Sequence, residues 1–255
     1  MIPIKSPVEI EKMREAGAVA AEILRRMCEF ASVGINTYEL DCFGRDVMME
    51  LGATSSAYHF PGPMSPYPAY SCISVNDEVV HGVPSEDRVL KDGDIVSIDV
   101  SVFYDGFVGD NTRTIIVGKA GKKISDFVER TKQALMKGVS QAVAGNHVGD
   151  ISSAVERVAI KWNYGVLRDY GGHGVGREMH EEPFIPNYGK PGSGPLLKPG
   201  MVIAIEPMFT LGREKVFVAD DGWTVKTVDG SFAAHWEHTV LITDGSPEIL
   251  TLVKK

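Results

Sequence analysis

Cysteine is scarce. The 255 residues hold three, Cys28, Cys42 and Cys72, and no CxxC pair. An odd number without ligand spacing excludes a disulfide framework and a cysteine-based zinc site, and it suits a reducing compartment. Basic runs are also missing: 26 Lys and Arg stand against 34 Asp and Glu, a formal charge of −8. That balance argues against non-specific nucleic-acid binding. No apolar run nears the roughly 18 residues of a membrane span. The opening MIPIKSPVEIEKMREAG is polar and helix-forming, without the apolar stretch of an export signal. The expectation is a cytoplasmic protein that engages neither nucleic acid nor membrane.

What the chain does have is one phrase stated twice. Leu90–Val100 reads LKDGDIVSIDV and Leu197–Pro207 reads LKPGMVIAIEP. Each has a Lys, a turn Gly and an alternating apolar run, the pattern of a half-buried strand. In this alignment Asp99 falls opposite Glu206. Downstream, Asp110-Asn111-Thr112 opens one apolar strand and Glu237-His238-Thr239 another. Two strand pairs of this kind would bring four carboxylates together around a pseudo-twofold axis. Such a cluster repels itself inside a sheet unless cations sit between its members, and a metal pair is the simplest answer.

The surrounding pattern repeats as well. Ser6-Pro7-Val8-Glu9 is a capping box, and Ile10, Met13, Gly17, Ala20, Leu24 and Met27 mark the buried face of a helix ending before Gly34. A second helix is expected over Thr37–Leu51, then a Pro- and Tyr-rich loop over Thr54–Tyr70. Strands follow near Ser71–Val75, Asp94–Tyr104 and Thr112–Val117. After Gly118 come helices at Ile124–Ala144 and Ile151–Tyr164. The closing strands are expected near Gly165–Tyr170, Met201–Phe209, Trp223–Lys226 and Phe232–Thr243. The order implies an α+β protein: a duplicated helix-helix-strands unit (roughly 1–118 and 119–255) closing on one mixed or antiparallel sheet backed by helices. Because the acids must meet, the whole of 1–255 is expected to be a single domain.

Asp99, Asp110, His173, Glu206 and Glu237 form the candidate metal set. Asp99 and Asp110 lie on strands joined by the tight turn Tyr104-Asp105-Gly106-Phe107, which lets both point at one spot. His173 stands in GGHGVG, where glycines let backbone approach the imidazole. Carboxylates with one imidazole and no thiolate favour Mn²⁺, Fe²⁺, Co²⁺ or Zn²⁺ in a paired site.

Taken in order, VVHGVP, SIDV with GDNT, GGHGVGREMHEEP, IEPM and WEHT resemble type I methionine aminopeptidase of the pita-bread fold over nearly the whole chain. The resemblance implies two divalent metals on the five residues above, with His81 and His180 as catalytic histidines. It implies that Glu206 is general base and proton donor, that His180 hydrogen-bonds the oxyanion, and that His81 steadies the substrate and helps protonate the leaving group. Cys72, Met179, Met208 and Trp223 match positions around the methionine slot, and Tyr67 is the candidate for its tyrosine. The segment Tyr58–Tyr70 departs from the family in being longer and richer in proline. Only about thirty residues separate Glu206 from Glu237, too few for the type II insertion, and no Cys-rich extension precedes the first helix. The implied activity is removal of N-terminal methionine from peptides and nascent proteins, before a small second residue, by a monomer that can meet the ribosome. The alternatives are a proline-specific peptidase of the same fold or a non-catalytic binding member.

Overall fold

The computed structural model describes residues 2–253. Helices α1 (Pro7–Phe30) and α2 (Thr37–Glu50) lead into strands β1 (Thr54–Ser55), β2 (Cys72–Val75), β3 (Glu78–Val80), β4 (Ile95–Tyr104) and β5 (Phe107–Ile116). Helices α3 (Lys122–Val139) and α4 (Val148–Trp162) follow. The chain continues through β6 (Gly165–Val166), β7 (Gly171–Gly174), β8 (Glu181–Pro186), β9 (Val202–Ile205) and β10 (Met208–Thr210). It closes with β11 (Val216–Val218), β12 (Val225–Thr227), β13 (Ala233–His235), β14 (His238–Leu241) and β15 (Glu248–Ile249).

The first helix starts where its cap demands. The Ser6 hydroxyl accepts the Glu9 N–H, while the Glu9 carboxylate accepts the Ser6 N–H at 2.9 Å. Asn36 and Glu39 repeat the arrangement at the head of α2. Each helix pair covers its own strands. Leu24, Met27, Leu40 and Met48 pack on Ile73, Val96 and Ile98. Phe127, Leu135, Ile151 and Val155 pack on Ile203, Ile205 and Val240. Full burial of each such side chain contributes about 1.5–3 kcal/mol, so both layers are held chiefly by apolar contact. Among the described residues no helix is long and apolar enough to cross a membrane.

All strand pairs are antiparallel, and they form four hydrogen-bonded sheets rather than one continuous ladder. β4 and β5 pair over all ten residues, from Ile95↔Ile116 to Tyr104↔Phe107. Their turn uses Asp105 and Gly106 at positive φ, the conformation of a tight two-residue hairpin. The ladder therefore begins at Phe107 instead of Thr112, and Asp110 lies within the strand rather than at its head.

The expected strands Met201–Phe209 and Phe232–Thr243 are each divided. β9 gives way to β10 at Glu206-Pro207, where proline has no N–H for a ladder. β13 gives way to β14 at Trp236-Glu237. Ile205↔His238 and Met208↔His235 share one offset, so Glu206 and Glu237 face each other across the interruption. Gly165–Tyr170 is strand only at its first two residues, the glycine run itself forming β7. β8, with two prolines, is a sheet edge that the sequence pattern did not announce. Helix α3 stops at Val139, and α4 starts early at Val148, where Asp150 accepts the His147 N–H at 2.7 Å.

Candidate metal centre and substrate pocket

The strand register sets the first two acids. Asp99 pairs with Thr112 and Ser101 with Asp110, so Asp99 and Asp110 are diagonal neighbours on one face of the hairpin. The second two approach from the opposite side at the divided strands. His173 comes in on β7, its Nε2 3.5 Å from Glu206 Oε1 and 3.8 Å from Asp110 Oδ2. Ligand atoms of Asp110, His173 and Glu237 lie within 4.8 Å of one another. Asp99 and Glu206 line the same cavity, just outside that tightest group.

Glycine makes the approach of β7 feasible. A Cβ on Gly172 would sit 2.1 Å from the Ala204 carbonyl oxygen, and one on Gly174 would sit 2.2 Å from that of Glu182. Between them, His173 Nδ1 is 3.0 Å from the Gly174 carbonyl. That contact places the proton on Nδ1 and leaves the Nε2 lone pair facing the carboxylates. Hydrogen bonds between β5 and the divided strands hold the latter in place. The Thr112 hydroxyl donates to Glu237 Oε2 at 2.9 Å, and Thr239 donates to the Asp110 carbonyl at 2.7 Å. Asn187 Nδ2 donates to the Glu206 carbonyl at 2.9 Å.

Burial dominates the electrostatics. It pushes the Asp99 carboxyl above its usual range, and those of Asp110 and Glu237 well above it, where neighbouring carboxylates add to the effect. Burial acts on Glu206 as well, but His235, His173 and His180 outweigh it and hold that carboxyl below its usual range. Among the described residues, Asp99 Oδ1, Glu237 Oε1 and His235 Nε2 are buried without a hydrogen-bond partner. A buried unsatisfied polar atom costs about 1–3 kcal/mol, and more when charged. Four acids, an imidazole with a free lone pair and orphaned carboxylate oxygens fit divalent cations, which would satisfy those oxygens and reverse the upward shifts.

All twelve residues singled out in the sequence border one cavity of about 520 Å³. The five metal candidates occupy one end, and Tyr67, Cys72, Met179, Met208 and Trp223 supply a sulfur- and ring-lined wall. Tyr67 is buried, its hydroxyl donating to the carbonyls of Ser71 (3.1 Å) and Gly82 (2.9 Å), with its ring edge-on to Trp223 at 5.2 Å. Trp223 Nε1 donates to the Ser65 carbonyl at 3.1 Å, so the proline-rich segment forms part of the pocket wall.

His81 and His180 also border the cavity, and burial pushes both imidazoles down to about 4. His81 lies edge-on to Tyr170, and His180 edge-on to Phe60 and His173. The turn bearing His180 is anchored by Glu181, which pairs with buried Lys5 and accepts the Arg177 N–H at 2.9 Å. Phe60, Tyr170, Phe184 and His235 are lining residues that sequence reasoning missed. His235 had a readable signal, since on any strand through Glu237 the residue two positions earlier shares its face.

Similarity to known proteins agrees with this geometry. Residues 11–244 match the model of metallopeptidase family M24. The methionine aminopeptidase of Clostridium acetobutylicum is 45% identical over 252 residues, covering 99% of both chains. That of Aquifex aeolicus is 46% identical, with 98% of each chain covered. The crystal structure of the Thermotoga maritima methionine aminopeptidase superposes with a TM-score of 0.93 at 43% identity, covering 98% of this chain and 99% of that one. The prolidase of Pyrococcus horikoshii gives 0.75 at 26% identity, and this chain spans only 64% of it. The chain therefore belongs to metallopeptidase family M24, within its methionine aminopeptidase group.

Proposed function

We propose that this chain removes the N-terminal methionine from peptides and nascent proteins whose second residue is small. It would do so as a monomer in the cytoplasm, meeting its substrates at or near the ribosome. The observation that carries the reading is the single cavity with five metal-type donors at one end and a sulfur-rich slot beside them. Thioether and aromatic walls suit an unbranched thioether side chain. The reading also treats 1–255 as one catalytic domain of two related halves.

Asp99, Asp110, His173, Glu206 and Glu237 would hold two divalent ions, drawn from Co²⁺, Mn²⁺, Fe²⁺ and Zn²⁺. Such a pair supplies Lewis acidity and brings the pKa of a bound water toward roughly 7. Glu206, which its histidine neighbours keep ionised, would accept the water proton as the oxygen adds to the scissile carbonyl. The same carboxyl then returns that proton to the amine as the C–N bond breaks. His180, neutral at pH 7, donates an N–H to the carbonyl oxygen as it gains charge. His81 is also neutral at pH 7, and its N–H would hydrogen-bond the substrate and assist protonation of the leaving group alongside Glu206.

The test is release of methionine from a Met-Gly-Met peptide by metal-stripped protein, titrated with each of the four ions. An acetylated peptide, a Leu-Gly-Met peptide and an Xaa-Pro dipeptide serve as controls. Metal-dependent release from the free Met peptide alone is expected. Cleavage of the Xaa-Pro substrate instead would transfer the reading to a proline-specific peptidase, and metal binding without any turnover would leave a binding protein.

A further inference from the structure

His235 ends β13, opposite Met208 and two residues before Glu237, and is 3% exposed. Its backbone is pinned at both ends by one residue: its N–H donates to Thr114 Oγ1 at 2.9 Å, and its carbonyl accepts from the same hydroxyl at 2.7 Å. The ring therefore has a fixed base, and it borders the cavity. Its Nε2 lies 3.2 Å from Glu206 Oε2, off the axis of a well-formed hydrogen bond and with no other partner. The other oxygen of the same carboxylate, Oε1, faces His173 Nε2 at 3.5 Å. Glu206 is bracketed by two imidazoles, one to each oxygen.

The two glutamates share a difficulty that the two aspartates do not. Each has one more rotatable bond than an aspartate, and each springs from a break between strands, although the Glu237 N–H still donates to the Thr112 carbonyl of β5 at 3.0 Å. Glu237 is steadied by the Thr112 hydroxyl on its Oε2. Among the described residues, the side chain that meets the corresponding oxygen of Glu206 is His235. We propose that His235 is a positioning residue whose Nε2–H donates to Glu206 Oε2 and turns Oε1 toward His173 and Asp110. The contact tightens into alignment when the carboxylate is engaged, as catalytic-site hydrogen bonds commonly do. The inference rests on the reading of Glu206 as metal ligand and proton acceptor.

His235→Ala removes the donor, whereas His235→Gln keeps an N–H of similar reach. Metal-stripped protein is titrated calorimetrically with Mn²⁺ and Co²⁺, and kcat and KM are measured on the Met-Gly-Met peptide. The wild-type metal stoichiometry is expected in both variants. In the Ala variant metal affinity and kcat should fall about 10–100-fold with KM little changed, the usual cost of losing a group that orients a ligand. The Gln variant should recover most of both losses. If His235→Ala does not fold, His235→Leu replaces it as the variant that fills the space without a donor.

Loss of one metal equivalent in both variants would overturn the proposal and make His235 a ligand itself. Wild-type behaviour of the Ala or Leu variant would also overturn it, leaving a space-filling ring. A wild-type protein inactive on the peptide would sink the functional reading separately, and the metal affinities would still decide the role of His235.

Discussion

The acids of the N-terminal half and those of the C-terminal half reach the same cavity by different means. Asp99 and Asp110 sit inside two uninterrupted ten-residue strands, where the ladder aims them at one face and their own hairpin neighbours Thr112 and Ser101 hydrogen-bond them. Glu206 and Glu237 sit where strands break, opposed across a gap in the ladder. Their aim depends more on Thr112, Asn187 and the surrounding histidines than on strand pairing, which reaches Glu237 only through its N–H on the Thr112 carbonyl. A short carboxylate on a rigid strand needs little help, while a long one at a crossover needs neighbours from other elements. That contrast explains why the β5 threonines face the second half: one continuous strand supplies the braces for the discontinuous one.

The largest effect should come from Asp99→Asn, which leaves the ladder intact and removes a charge. Metal-dependent turnover should fall by at least about 10³-fold with the far-UV spectrum unchanged. Full activity at limiting metal would remove Asp99 from the metal set. His180→Ala tests a residue held by a turn rather than a strand; kcat should drop about 10²–10³-fold with KM little altered, as for loss of an oxyanion donor. A change confined to KM would reassign it to binding.

The comparison itself is sharpened by Thr112→Val against Ser101→Ala. Thr112 braces Glu237 across elements as well as touching Asp99, so its loss should weaken metal binding about 10–100-fold. Ser101 pairs with Asp110 on the rigid hairpin, and its loss should cost clearly less in the same titration. Equal losses would break the distinction between the halves.

The smallest effect is a pH dependence of stability. Burial pushes His81, His180 and His238 to about 4, against an ordinary value of 6.5. Below pH 6.5 the unfolded chain binds protons that the folded chain refuses, so stability is complete above 6.5 and lost as the pH falls toward 4. The buried carboxyls of Asp110 and Glu237, raised by burial, act in the opposite sense, so the imidazole contribution is read as a difference: the melting-temperature gap between metal-stripped wild type and His238→Gln should change steadily in favour of the variant from pH 7 to pH 4.5. A constant gap would mean that His238 charges freely in the folded state.

Several parts were legible because local chemistry dictates them. The capping box at Ser6, the spacing of Met13, Gly17, Ala20, Leu24 and Met27, and the Asp105-Gly106 turn each act within a few residues. The repeated phrase ending in Asp99 and Glu206 made the acids visible without any structure. The break beside Glu206 had one local sign, Pro207, but the apolar runs continue through both breaks and the change of sheet beside Glu237 had none. His235 was passed over for a related reason: its significance lies in the oxygen it meets from another strand.

The sequence by itself determined the helices, the hairpin of Asp99 and Asp110 and the identity of the donors, because caps, turns and strand alternation are short-range forces. Only the tertiary structure decided which sheet each half-strand joins, how Tyr67 and Trp223 close the pocket wall, and which neighbours brace the two glutamates. Those outcomes depend on contacts between residues tens of positions apart or more, up to Thr112 with Glu237, and no local pattern encodes such a meeting.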